Sequence, residues 1–417
     1  MLNRAACEEP AAASGPDGRG SDPRIDSAAM DFDRIDVDAL RAGRGAKWSK
    51  CPADVLPAWV ADMDFPVAGP IRRVLEAMLS GSDLGYPAGA TLASLATIFA
   101  RRMEERFDWS VDPERVEVLT DVVQGLQLAV AEYSASGDAV ITPVPIYPPF
   151  LEAVEGQRRV PVWQRIRLTG QGYRVDLERL RAELMPGTRM LLLCNPHNPT
   201  GHVLGRDELE ALAAIAIERD LVVVCDEIHA DLVYPGAAHL PLATLGGEIA
   251  ARTVTLTSAT KAFNIAGLRC AVAVFGTAEL QRRFNRVHHH ARGGLGTLGL
   301  AATASAWTEC EDWQAEVLRY LEANRDLVAE HARRRWPGVV HSVPQATYLA
   351  WFDFSALGLE PTPHRFFLDR ARVALSDGDD FGAEGTGCVR LNFATSRPIL
   401  REILARMDAA LDDAARL

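Results

Sequence analysis

The sequence predicts an α/β fold: a large domain built on a mostly parallel sheet flanked by helices, then a smaller α+β domain. Three observations predict it: short apolar runs bounded by turn residues, amphipathic segments between several of them, and a change of texture after about Ala306. Strands buried on both faces read as continuous apolar runs, and their alternation with helices implies a parallel sheet.

In chain order, the strand-like runs are VEVLT (116–120), DAVITP (138–143), RMLLLC (189–194), LVVVC (221–225), TVTLTS (253–258) and CAVAVF (270–275). Helical periodicity is clearest in DELEALAAIAIERD (207–220), where apolar residues recur at helical spacing. The later region holds a long charged helical stretch (313–335), then TYLAWFDF, a helix-like RFFLDRARV, and CVRLNFAT. No internal repeat is visible in the sequence.

The chain has 417 residues and a formal net charge of -12, so it has no basic surplus for a general nucleic-acid or anionic-membrane surface. No stretch approaches the ~18 apolar residues of a membrane span. The first 29 residues are rich in Ala, Gly, Ser, Pro and Asp, lack a signal-peptide pattern, and are expected to form a disordered extension. That extension is too short and polar for a helix-turn-helix module. Seven scattered cysteines without a C-x-x-C pair point to a reducing cytoplasm and to no structural metal.

In open α/β sheets, ligands bind beyond the carboxyl ends of the strands. Four segments fall there: Asp121-Val122-Val123, the Asn195–Gly201 turn N-P-H-N-P-T-G, Asp226-Glu227-Ile228-His229, and Ser258-Ala259-Thr260-Lys261. Each has an ordinary structural reading taken alone: an N-cap, a turn, a solvated lysine. Together they put an amide, a carboxylate, an amine and a helix N-terminus at one sheet edge.

These segments resemble the fold-type I pyridoxal 5'-phosphate (PLP) enzymes, the aspartate aminotransferase superfamily, and within it the MalY/PatB type of cystathionine β-lyase. The resemblance is carried by W-V-A-D-M-D-F (59–65), G-Y-P (85–87), P-I-Y-P-P-F (145–150), N-P-H-N-P-T-G (195–201), C-D-E-I-H-A-D-L-V (225–233), S-A-T-K-A-F-N-I-A-G-L (258–268) and R-L-N-F-A-T-S-R (390–397), in that order. It implies a seven-stranded-type sheet in a large PLP-binding domain over 76–305. Residues 30–75 would form an N-terminal arm and part of the small domain, which continues over 306–417.

The resemblance also implies roles. Lys261 holds the cofactor covalently and then moves the substrate's α-proton. Asp226 pairs with the pyridinium nitrogen, Asn198 with the phenolic oxygen, Tyr147 stacks on the ring, and His229 is a further cofactor contact. The phosphate lies on the helix start at Val122 and Val123, with Ser258, Thr260 and Arg269 as donors. Tyr86, the second candidate at the reaction centre, reaches the phosphate from a second subunit, so a homodimer shares the site. Arg397 is assigned to the carboxylate of an amino-acid substrate.

Two positions depart from the lyase pattern. Asp121 stands where Gly is common and is expected to turn from the phosphate or cap the helix. Arg269, eight residues after Lys261, has the spacing of a phosphate-binding arginine of aminotransferases. The run His288–His290 with Arg292 reads as a solvated helix end, one member of which is a candidate for the substrate mouth. Gly294–Gly299 matches G-x-G-x-x-G but follows no strand, so it is read as a turn or close backbone approach rather than a nicotinamide site. The implied reaction is α,β-elimination from L-cystathionine or a related cysteine S-conjugate. An aminotransferase shares nearly all these residues and is the alternative; a binding or regulatory protein is disfavoured by the complete catalytic set.

Overall fold

In a computed structural model, residues 31–170, 172–288 and 290–416 are described; the expected N-terminal extension lies outside them. The chain outside that extension builds an eight-stranded sheet and a four-stranded sheet. The large sheet comprises β1 (Val116–Leu119), β2 (Ala139–Val144), β3 (Val160–Thr169), β4 (Gly172–Val175), β5 (Thr188–Cys194), β6 (Val222–Asp226), β7 (Thr253–Thr257) and β8 (Ala271–Phe275), in the order β1-β8-β7-β6-β5-β2-β3-β4.

The centre of this sheet, from β7 through β3, is parallel, and β8 runs antiparallel to both of its neighbours. All six runs expected from apolar patterning are strands. Successive side chains take opposite faces. Met190, Leu192 and Val224 therefore join Leu126 and Val130 in one core layer, whereas Leu191, Leu193 and Val223 join Leu209 and Leu212 in the other. Burial on both sides explains why the runs MLLLC (190–194) and LVVVC (221–225) are continuously apolar.

The hairpin β3–β4 adds an edge that the apolar runs did not indicate. Its strand Val160–Thr169 is exposed at alternate positions and pairs antiparallel with Gly172–Val175. An edge strand covered on one face needs only alternation, so it lacks the continuous apolar signature.

The smaller sheet comprises β9 (Val340–His341), β10 (Leu349–Asp353), β11 (Ser376–Asp377) and β12 (Cys388–Asn392), antiparallel in the order β9-β10-β12-β11. Phe352, Phe354, Phe367 and Trp336 pack edge-on or tilted behind it. The 25-residue helix Glu311–Arg335 begins with Glu311 and Asp312 and ends with three arginines, a distribution that complements its dipole.

Segment 56–64 is laced to this region. Leu56–Pro57 pairs in parallel with Val373–Ala374, Asn392 N–H donates to Ala58 O, and Asp64 N–H donates to Ala394 O. The Asn392 side-chain amide also donates to Val60 O and Asp62 O, at 2.6 and 2.7 Å. Below it, Lys47 and Asp64 form a buried ion pair at 3.0 Å, and Trp48 Nε1 donates to the same carboxylate. Few free polar groups remain in this segment, so it is a firm wall rather than a loose arm.

Gly299 lies in the helix Thr297–Glu309, where a Cβ would fall 2.3 Å from Leu268 O. The glycine-rich stretch therefore serves a close backbone approach, as expected. None of the helices among the described residues is long and apolar enough to cross a membrane.

Candidate active site

The loops after β1, β5, β6 and β7 open on the carboxyl edge of the large sheet and face segment 59–61 and strands β11–β12 of the small one. Between them lies a cleft of about 340 Å³ whose lining includes Val122, Val123, Tyr147, Asn198, Asp226, His229, Thr260, Lys261 and Arg269. Nine of the sequence-derived candidates thus share one cavity.

Asp226 ends β6 and is buried, and one of its oxygens accepts from Ile228 N–H at 3.0 Å. Burial pushes its carboxyl up to about 7, with Glu227 adding to the rise and Lys261 opposing it. Lys261 follows β7 by four residues, and its Nζ donates to Ala61 O at 2.8 Å. Burial lowers the amine's pKa and Arg390 adds to this, whereas Asp62 and Asp226 work the other way. The same Ala61 carbonyl accepts the Tyr348 hydroxyl at 2.8 Å. His229 is buried and held near pKa 3, chiefly by desolvation and then by Lys261 and Arg390, so it is a neutral imidazole at working pH.

Helix Val122–Tyr133 points its N-terminus into the cleft. Asp121 caps it: Oδ1 accepts from Gln124 N–H at 2.8 Å, and Oδ2 pairs with Arg269 at 2.5 Å. The expected turn of this carboxylate towards the helix is therefore present, and Arg269 is engaged by it. Ser258 is absent from the cavity lining. Its Oγ lies 2.6 Å from Cys270 O and 2.8 Å from Thr260 Oγ1, so it orients Thr260 from behind.

Arg397 requires a correction. It begins the helix Arg397–Ala414, lies outside the cleft lining, sits 3.5 Å from Asp33, and stacks on Tyr320 with its guanidinium 4.1 Å from the ring centroid. Besides Arg269, which Asp121 engages, the arginine in the cleft is Arg390, in the middle of β12 and only 4% exposed. Its NH1 donates to Asn198 Oδ1 at 2.8 Å, and its NH2 lies 2.9 Å from Trp59 O and 3.0 Å from Ser376 Oγ. It stacks over Phe381 at 4.9 Å, and burial lowers its pKa to about 10. Both arginines stand in R-L-N-F-A-T-S-R; the distinguishing signal is a lone charge inside the apolar strand C-V-R-L-N, which buries only if the charge is used.

Tyr86 is fully exposed and does not line the cleft of its own chain. Arg292 donates to Asn285, sits 3.7 Å from Glu117, and does not line the cleft of its own chain. No cluster of metal-ligating residues exists among the described residues.

The donor set fits pyridoxal phosphate. A buried carboxylate with no cation in contact matches a pyridinium N–H, since such a partner would offset its desolvation. Asn198 spends its oxygen on Arg390, leaving its amide N–H groups to donate to a phenolate oxygen. The first amides of the capped helix and Thr260 offer donors to a phosphate. Lys261 lies in the same cavity, and its burial shifts it toward the neutral, nucleophilic amine.

The family model for aminotransferase class I and II matches residues 61–407. The chain is 35% identical to cystathionine beta-lyase of Corynebacterium glutamicum over 376 residues, covering 90% of this chain and 99% of that one. It is 32% identical to cystathionine beta-lyase PatB of Bacillus subtilis, covering 92% and 100% respectively. The structure of cystalysin from Treponema denticola, which contains a pyridoxal 5'-phosphate cofactor, superposes with a TM-score of 0.86 at 28% identity, covering 92% of this chain and 99% of that one. With an ordered motif set, a fitted cofactor cleft and matches along nearly its whole length, the chain belongs to the aminotransferase class I and II family.

Proposed function

We propose that this protein is a pyridoxal-phosphate-dependent carbon–sulfur lyase that performs α,β-elimination on L-cystathionine or a related cysteine S-conjugate. The observation that carries this reading is the convergence of Lys261, Asp226 and Arg390 in one cleft. The similarity to cystathionine beta-lyases over nine-tenths of the chain supports the choice of reaction. When bound, the cofactor supplies an electron sink for a carbanion at the substrate's α-carbon.

The chain's own groups do the rest. Arg390 grips the α-carboxylate with a guanidinium fixed by Asn198, Trp59 O and Ser376, so little ordering remains to be done when substrate arrives. Asp226 keeps the cofactor's ring nitrogen protonated. Lys261, whose burial favours the neutral amine, takes the α-proton. The Cβ–S bond then breaks, the thiolate leaves and is protonated, and the remaining aminoacrylate hydrolyses to pyruvate and ammonia.

Two copies of the chain are proposed to share the sites, with the exposed Tyr86 of each reaching the other's phosphate pocket. Six cysteines among the described residues are free, which suits a reducing cytoplasm.

The test is to incubate the PLP-loaded protein with L-cystathionine, without any keto acid, and to follow pyruvate. Many turnovers of pyruvate are expected. No pyruvate, with the amino group instead passed to an added keto acid, would make the protein a transaminase.

A further inference from the structure

We propose that Asp380 selects cysteine S-conjugates whose sulfur substituent carries a positive charge. The proposal deepens the lyase reading and rests on it for the orientation of the substrate.

The cleft holds three carboxylates, and two have assigned work. Asp226 lies on the cofactor floor, and Asp121 caps a helix and pairs with Arg269. Asp380 is the third. It lines the cavity on its exposed rim, and among the described residues no hydrogen bond or ion pair engages its side chain. Nearby acids are occupied: Asp377 accepts from Asp379 N–H, and Glu384 pairs with Arg165.

Arg390, a cation of the same cavity, turns NH1 and NH2 toward Asn198, Trp59 O and Ser376 and makes no ion pair with Asp380. It feels Asp380 through space, which raises its pKa against the larger effect of burial.

The carboxylate is also held in place. It belongs to the short turn Gly378–Phe381 that follows Ser376–Asp377, the edge strand paired with β12. Phe381, the next residue, is buried beneath the Arg390 guanidinium, and its carbonyl accepts Ile146 N–H of the large domain at 3.0 Å. The turn is thus tied to both walls, and Asp380 cannot drift without moving the Arg390 support.

With the α-carboxylate on Arg390 and the α-carbon at Lys261, the sulfur substituent meets what is left of the lining. That is an apolar stretch including Trp59, Val60 and Pro148, and one charge, Asp380. An ammonium at three to four bonds from sulfur gains a charge-assisted partner there, and a purely anionic substituent is repelled. The distal ammonium of L-cystathionine lies four bonds from sulfur and meets this requirement; a carboxylate shares its carbon, so S-(2-aminoethyl)-L-cysteine, which lacks that carboxylate, is the cleaner probe.

The experiment compares S-(2-aminoethyl)-L-cysteine with S-propyl-L-cysteine, which match in length and differ in charge, on the wild-type holoenzyme, Asp380→Asn and Asp380→Glu. Two ratios are read: kcat/KM from pyruvate release, and Kd from the cofactor's absorbance change on rapid mixing. Wild type is expected to favour the aminoethyl conjugate in both. Asp380→Asn should cut both preferences roughly five- to tenfold, and Asp380→Glu should retain most of them. An unchanged preference in Asp380→Asn, or a wild type that favours the propyl conjugate, overturns the proposal. If neither conjugate gives pyruvate the lyase reading fails, and the Kd ratio still decides the role of Asp380.

Discussion

The two walls of the cleft are built in different ways. The large-domain wall is made of strand ends: Asp226 closes a buried parallel strand, and Asn198 and Lys261 each follow one by four residues, so topology delivers them to one edge. The small-domain wall is made of interior positions: Arg390 in mid-strand, Ser376 on the strand beside it, and the backbone of Trp59 and Ala61. Strand ends tolerate change by growing loops, whereas a mid-strand arginine is fixed by every neighbour. The first wall suits a cofactor that stays; the second fits a substrate carboxylate that must be met in one geometry at each turnover.

This contrast can be broken, or sharpened, by four measurements. The largest effect is expected at Lys261. Replacing it by Ala should lower pyruvate release by at least about a thousandfold, because both the covalent anchor and the proton carrier are lost. Activity within tenfold of wild type would remove Lys261 from the reaction.

Next come the two arginines, whose sequence motif is shared but whose walls differ. Arg390→Lys should raise KM roughly a hundredfold, since one ammonium cannot reproduce the fork held by Asn198 and Ser376. Arg397→Gln should change KM by no more than about threefold, as it breaks a partly exposed contact with Asp33 and the stacking on Tyr320, both outside the cleft lining. Equal effects would return Arg397 to the site.

The third measurement concerns Asp226 in the cofactor-free protein. Its folded pKa is raised to about 7, so the folded chain holds more protons than the unfolded chain between the ordinary carboxylate range and neutrality. The associated stability is complete below the unfolded pKa and is lost as pH rises through about 7. The melting temperature of the wild type minus that of Asp226→Asn should therefore fall by on the order of a few degrees from pH 4 to pH 8. A difference that stays flat across that range would show that Asp226 is not buried in the cofactor-free chain.

The smallest effect is at Asp121. Asp121→Ala removes the cap on Gln124 N–H and should cost about 1 kcal/mol, read as a drop in the denaturation midpoint. It also frees Arg269, so PLP affinity is expected to change only a few-fold, because a lost cap and a released phosphate partner oppose each other. A tenfold tightening would show that the pair restrains Arg269 at the expense of the phosphate.

The same contrast governs how much was legible in the sequence. The six apolar runs and the turn residues after them announce the central strands, and with them Asn198, Asp226 and Lys261. The β3–β4 hairpin escaped because one face of β3 is open: buried Val162, Gln164 and Ile166 alternate with the less buried Trp163, Arg165 and Arg167, and the polar Gln164 interrupts even the buried row. Arg390 escaped for the opposite reason. It lies inside a segment whose flanking Arg397 looks equally suited, and only pairing with β10 and β11 shows which of the two faces inward. Ser258 shows a third limit: its place in S-A-T-K is plain, but its bond to Cys270 O depends on where β8 begins. Asp380 carries no motif at all, since its interest comes from what fails to touch it.

The carbonyl of Ala61 has a mechanical consequence. It accepts both Lys261 Nζ from the large domain and Tyr348 OH from the small one, on a segment stitched to β12 through Asn392. The lysine is therefore geared to the small sheet. This tie belongs to the cofactor-free chain, so taking up the cofactor at Nζ exchanges a hydrogen bond to the small-domain wall for a covalent bond, and leaves Ala61 O to Tyr348.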